Sequence, residues 1–171
     1  MATATFNQPT SAQAINIHST RAVWLGGVET GVVAGIAMAM VTMLTSYFMG
    51  TGFLTPLLLI SATFFGQAAL AGGVGVIAAG VVLHMMNSAV FGVIFAYITR
   101  QASSGGTYLW AGLAFGIAIW AMITFAVLPV ADPIMRQHVA MTPIPWFVNH
   151  LVFGAMLALT PYFERISVRR T

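Results

Sequence analysis

The sequence predicts an all-α fold, an integral membrane four-helix bundle with an additional short interfacial or re-entrant helix, and three observations carry that prediction. Hydrophobic residues make up 59% of the 171-residue chain and charged residues only 5%, whereas about a quarter of an ordinary soluble domain is charged. The apolar residues fall into runs long enough to cross a bilayer, each bounded by Gly, Pro or Arg. Within those runs small residues recur at every fourth position, which stacks them on one helical face and lets helices approach closely.

Composition also removes several chemistries. The net charge of +3 comes from six Arg and three acids with no Lys, so the basic residues mark helix ends rather than a nucleic-acid surface, and no nucleic-acid partner is expected. Without a lysine amine there is no Schiff base. Without Cys there is no disulfide, thiolate metal site or covalent c-type haem. No HExxH, GxSxG or phosphate-binding loop occurs, so a familiar enzyme class is not expected. The solvent of this chain is lipid.

Residues 1–21 are polar, hold His18 and Arg21, and read as a mobile tail. The first span covers about residues 22–49, where Gly27, Gly31 and Gly35, continued by Ala39, form a doubled GxxxG stripe. Glu29 falls on another side of that helix. The breaker cluster from Gly50 to Pro56 is a loop. A short interfacial or re-entrant helix follows at about 57–70, carrying Ser61, Thr63 and Gln67, and Ala71-Gly-Gly-Val-Gly75 separates it from the second span at 74–99. A five-span alternative makes 53–71 a full crossing.

Residues 100–107 form a polar loop. The third span covers about 108–130, with Gly112, Gly116 and Trp120 on one face, and Pro129 and Pro133 end it. Residues 131–145, with Asp132, Arg136 and His138, make the largest polar excursion. The fourth span runs over 146–163, and residues 165–171 are a basic tail. Four spans put Arg21, Arg100, Arg165, Arg169 and Arg170 on one side and Arg136 on the other, which predicts cytoplasmic termini.

Intramembrane ionisable residues are candidate functional groups by default. His84 lies between Gly80 and Ser88 on one face, about 15 Å from the start of its span at 1.5 Å per residue. An imidazole with small neighbours one turn away is suited to hold a b-type haem or chlorophyll-type pigment, the small residues leaving room for the macrocycle. The bland alternative is a hydrogen bond to Ser88, Asn87 or a nearby carbonyl. His150 repeats the pattern with Gly154 and Ala158, but four residues into its span it is expected about 9 Å away in height, paired with Asn149 at the interface. Met135, His138 and Met141 are a weak thioether and imidazole set for Cu(I). Glu29 is either a proton or cation group or a structural acid paired with Arg100 or Arg165.

In the order of these features the chain resembles small prokaryotic inner-membrane proteins, the YagU-like family. The likeness lies in the glycine-rich first span, the apolar segment after Pro56, His84 with Phe91-Gly92, Gly116 and Trp120 ahead of Leu128-Pro129, and His150 with Phe153-Gly154. It covers about residues 25–163, and the long apolar run at 57–75 departs from it. The resemblance implies a multi-pass inner-membrane protein and carries no activity with it. Three functions are therefore expected in order: a non-catalytic accessory subunit of a respiratory or photosynthetic complex, with bound lipid and with other subunits or further copies docked on its small-residue faces; a tetrapyrrole-binding subunit using His84; and a small proton- or ion-coupled transporter using Glu29 and His84.

Overall fold

The computed structural model describes residues 20–102 and 104–169. Nearly all of the polar tail, including His18, and the final residues 170–171 lie outside the described residues. The elements are α1 (Thr20–Phe48), α2 (Thr55–Phe65) with a tighter turn over Gly66–Ala71, α3 (Val74–Thr99), and α4 (Gly105–Met122). A wider π-type turn at Ile123–Val127 leads into α5 (Leu128–Ala131), followed by α6 (Pro133–Met141), α7 (Pro143–Met156), and α8 (Thr160–Arg169) after the tight turn Leu157–Leu159. The fold is all-α, with four helical rods long and apolar enough to cross a membrane: Thr20–Phe48, Val74–Thr99, Gly105–Ala131 and Pro143–Val168. Thr55–Ala71 is the shorter apolar segment.

Several boundaries differ from the sequence reading: the third rod begins at Gly105 rather than Tyr108 and the short helix at Thr55 rather than Leu57, and the fourth rod differs at both ends. The fourth rod begins at Pro143 rather than Trp146 and continues to Val168 rather than Phe163. Pro143 and Pro145 sit in the first turn of α7, where backbone N–H groups have no intrahelical partner and proline loses nothing. At the other end, α8 is held against α1, so the chain from Arg165 to Arg169 is helical rather than a separate tail. The excursion expected over 131–145 is largely helix α6, started by Asp132, whose Oδ1 accepts the Met135 N–H at 2.8 Å. The π-type turn ends two residues before Pro129, which has no N–H to donate and would crowd the carbonyl four residues earlier.

Backbone contacts at glycine hold the rods together. Helices α1 and α3 run antiparallel, Gly27 lying against Val93 and Ala96, Gly31 against Ser88 and Gly92, and Gly35 against His84 and Ser88. Helices α4 and α7 make the equivalent pair, Gly112 against Gly154 and Ala158, Gly116 against His150 and Gly154. A Cβ on Gly31 would strike the Ser88 carbonyl, and one on Gly112 the Gly154 carbonyl, backbone atoms that cannot rotate away. The two pairs join where α1 meets α7 and α8.

We call the end of the bundle that carries Arg21, Arg100 and Arg165 the terminal end, and the other the far end. The terminal half is packed solid around Phe95, Tyr108, Phe153 and Leu157, with Phe115 tilted on Phe95 at 5.5 Å. At the far end α2 seats on α3, the Leu57 backbone over Gly80 and the Ser61 hydroxyl donating to the Val76 carbonyl at 2.6 Å. Gly72 and Gly73 turn the chain from one helix into the other with φ of +83° and +113°, a region closed to most side chains. Leu59, Leu128, Met135 and Val139 then close α2 onto α5 and α6.

Gly31→Val and Gly116→Val should each destabilise the bundle by about 2 kcal/mol or more, as overpacking against an immovable backbone does. Gly75→Ala, whose new Cβ would meet nothing within 4 Å, should leave the thermal midpoint in detergent micelles unchanged.

Candidate functional site

The solid terminal half and the splayed far half leave a cavity of about 390 Å³ between the helix pairs, within the roughly 300–1,000 Å³ typical of small-molecule sites. Its walls are mostly apolar, with Met38, Met43, Met49, Met122 and Met135 among them. All three described histidines, His84, His138 and His150, line it, together with Asn87, Asn149 and Asp132. A largely apolar hollow with a few convergent polar groups is the usual form of a ligand site.

The histidine hydrogen bonds define the polar character of this space. Nε2–H of His84 donates to the Gly35 carbonyl at 2.9 Å, an interaction that the close α1/α3 approach makes possible. Nδ1–H of His150 donates to the Trp146 carbonyl one turn earlier at 2.8 Å, and the ring stands edge-on to the Trp146 indole at 4.5 Å. A carbonyl only accepts, so these nitrogens carry the ring protons. In the neutral rings Nδ1 of His84 and Nε2 of His150 are lone-pair acceptors, and neither has a hydrogen-bond partner among the described residues. Asn149 is buried, and its Oδ1 is a further acceptor without a partner. The two imidazoles lie within electrostatic reach of each other.

This geometry revises the sequence reading at several points. His150 is 2% exposed and bonded to a carbonyl, not paired with Asn149 at an interface. Because α7 starts three residues early, His150 is about 10 Å into its rod and His84 about 15 Å into its own, so the height difference shrinks to about 5 Å. Gly80 and Ser88 do not leave room for a macrocycle beside His84: the Leu57 backbone covers Gly80, and Ser88 packs on Gly35. Met135 and His138 face the cavity, but Met141 is 69% exposed and is not part of its lining, so the three do not form one ligand set. Among the described residues no three His, Asp or Glu side chains gather as a metal-binding group.

Glu29 stands apart from this site. It is not among the cavity-lining residues and faces α8, where the Ser167 hydroxyl donates to its Oε2 at 3.4 Å. Arg100 lies over the Tyr97 ring at 5.7 Å. Glu29 and His84 therefore do not share one polar path. Glu164, which the sequence reading did not single out, is more deeply buried than Glu29, 2% exposed against Gly26, and its Oε1 has no hydrogen-bond partner among the described residues. The signal for it was present: a lone glutamate between Phe163 and Arg165 at the end of the last apolar run.

A polar clasp closes the far end. The Thr63 hydroxyl on α2 donates to Asp132 Oδ2 at 2.5 Å while Asp132 Oδ1 caps α6. One carboxylate thus ties α2 to the start of α6. Partial burial lowers the pKa of His138 on α6 below the ordinary 6.5 by disfavouring the imidazolium. Family models, curated proteins and solved structures yielded no match to this chain.

Thr63→Val should cost about 1–2 kcal/mol by leaving a buried carboxylate oxygen unpaired, seen as faster hydrogen exchange along α6 with α3 unaffected. Since the folded pKa of His138 lies below its unfolded one, its contribution to stability is present above about pH 6.5 and is lost as the pH falls. Intrinsic-rate-corrected protection of α6 should therefore fall between pH 7.5 and 5.5, and His138→Gln should abolish that dependence.

Proposed function

We propose that this chain is a non-catalytic multi-pass membrane protein that binds a small, largely apolar molecule in its far-half cavity, as an accessory subunit of a larger membrane complex. One observation carries the reading: histidines from α3, α6 and α7 line one mostly apolar cavity, and each keeps a ring nitrogen without a hydrogen-bond partner among the described residues. A packing histidine needs only one hydrogen bond, and in His84 and His150 that bond is local to the helix contact. The remaining nitrogen is left for a guest.

The placement of the described arginines supports a prokaryotic inner-membrane protein with cytoplasmic termini, since Arg21, Arg100 and Arg165 share the terminal end and Arg136 stands at the far one. On that reading the cavity opens toward the outer leaflet. Exposed side chains along the rods, such as Ile36, Met40, Val82 and Ile94, meet lipid or neighbouring subunits. A second reading, a b-type haem or chlorophyll-type pigment, is favoured by His150: a buried imidazole with Nδ1–H on a carbonyl and Nε2 free has the arrangement of an axial ligand.

The test is native mass spectrometry and an absorption spectrum of protein extracted from its own membrane with a polymer that retains lipid. A small molecule bound at about one per chain, and lost in Ala39→Phe, whose ring would enter the cavity that Ala39 lines, is the expected result. A Soret band that vanishes in His150→Ala would select the tetrapyrrole. Protein carrying only bulk lipid, identical in both forms, would overturn the binding reading.

A further inference from the structure

Among the described residues the cavity keeps open groups of both kinds: the His138 ring and the Asn87 amide can donate, whereas the groups at the second helix crossing and on His84 accept. Nδ1 of His84, Nε2 of His150 and Oδ1 of Asn149 are open acceptors, the ring N–H of His84 and of His150 being engaged by backbone carbonyls. Asp132 accepts as well, but both its oxygens are occupied, by Thr63 and by the α6 cap. A guest that bridges His84 and His150 must bring hydrogen-bond donors to both, because an acceptor placed against these two nitrogens would set lone pair against lone pair.

The way in is also visible. Helices α3 and α4 follow each other in the chain but touch little. Their ring contacts, Phe91 and Phe95 on Phe115, lie toward the terminal end. Beyond them Asn87, at the middle of α3, and Met122, near the end of α4, both line the cavity and are both exposed. The Asn87 side chain has no hydrogen-bond partner among the described residues. A bare amide facing hydrocarbon at that depth costs free energy unless something polar passes or rests there. This gap is a lateral opening toward lipid, and lipid admits neutral molecules and excludes ions.

Resting on the binding function proposed above, we infer that the guest is a membrane-dissolved dihydroxy aromatic, an alkyl hydroquinone, whose ring enters between α3 and α4 and whose hydroxyls donate to His84 and His150. A volume of about 390 Å³ suits a substituted ring and leaves a long tail in the lipid. Trp146, Phe91 and Phe153 on the walls supply aromatic surface for it. The oxidised quinone, carrying only acceptors, is discriminated against, as sites built for a hydroxyl reject analogues that lack it.

The experiment uses the full chain in phosphatidylcholine–phosphatidylglycerol nanodiscs and three probes: decyl-benzohydroquinone kept reduced under anaerobic dithionite, the corresponding decyl-benzoquinone, and decylbenzene. Equilibrium binding should favour the hydroquinone over either competitor by at least tenfold. His150→Phe should remove that preference. Asn87→Trp, a change at an exposed position that leaves the helix contacts intact, should slow association and dissociation at least fivefold in stopped-flow fluorescence. Equal binding of all three probes, abolished by Ala39→Phe, would keep the cavity as a binding site and overturn the hydroxyl preference. Unchanged rates in Asn87→Trp would overturn lateral entry, and binding of none would overturn both the guest and the binding function.

Discussion

The bundle depends on two backbone-to-backbone contacts, Gly31 with Ser88 and Gly92, and Gly116 with His150 and Gly154. In lipid, helices gain little by burying apolar surface against each other, because the surrounding tails are as apolar as leucine, so association rests on close packing and on satisfied polar groups. Glycine removes the side chain that would hold the axes apart. Bringing α1 onto α3 also brings the Gly35 carbonyl within reach of His84, so the contact that holds the pair sets the proton on that ring. The second crossing places the His150 backbone against Gly116 and turns its side chain, bonded to its own helix, toward the hollow. Packing and site chemistry share the same few residues.

The spans were legible in the sequence because the physics that sets them is one-dimensional: apolar length, breaker residues and the four-residue recurrence of Gly27, Gly31 and Gly35 are all read along the chain. The short helix after Pro56 was legible for the same reason. What Gly80 does was not. On a sequence, a small residue beside His84 is equally an opening for a ring or a seat for another helix, and only the path of α2 decides that Leu57 takes it. His150 shows a second limit. Its depth depends on where α7 starts, and two prolines that read as a loop are also good first-turn residues. Glu164 was not singled out because it falls at the very end of the expected bundle beside Arg165, while its burial follows from α8 packing on Gly26.

The two ends of the bundle differ in where their polar groups sit. His84, His138, His150, Asn149 and Asp132 line the far-half cavity, whereas Thr30, Thr99, Thr160 and Glu164 are buried in the terminal half. Toward the terminal end the space is closed by Phe95, Phe115, Phe153 and Leu157, side chains that pack on each other and on Ala34 without a polar gap. Glu29 and Glu164 lie at the α1/α8 contact, away from the cavity lining. An aromatic floor thus lies between the two polar systems.

The far half is built differently, and its construction is suited to opening. There the rods are held apart by α2 and α6, which are short, begin at prolines, and are tied by the Thr63–Asp132 clasp and the cluster around Leu59 and Leu128. Short helices docked through a few contacts form the low-stability end of a protein's range of local openings. The glycine crossings hold the long rods, and with them the backbones of His84 and His150, independently of that cover. On the binding function proposed above, the fixed rods set the acceptor geometry that selects a guest, while the gap between α3 and α4 gives it entry.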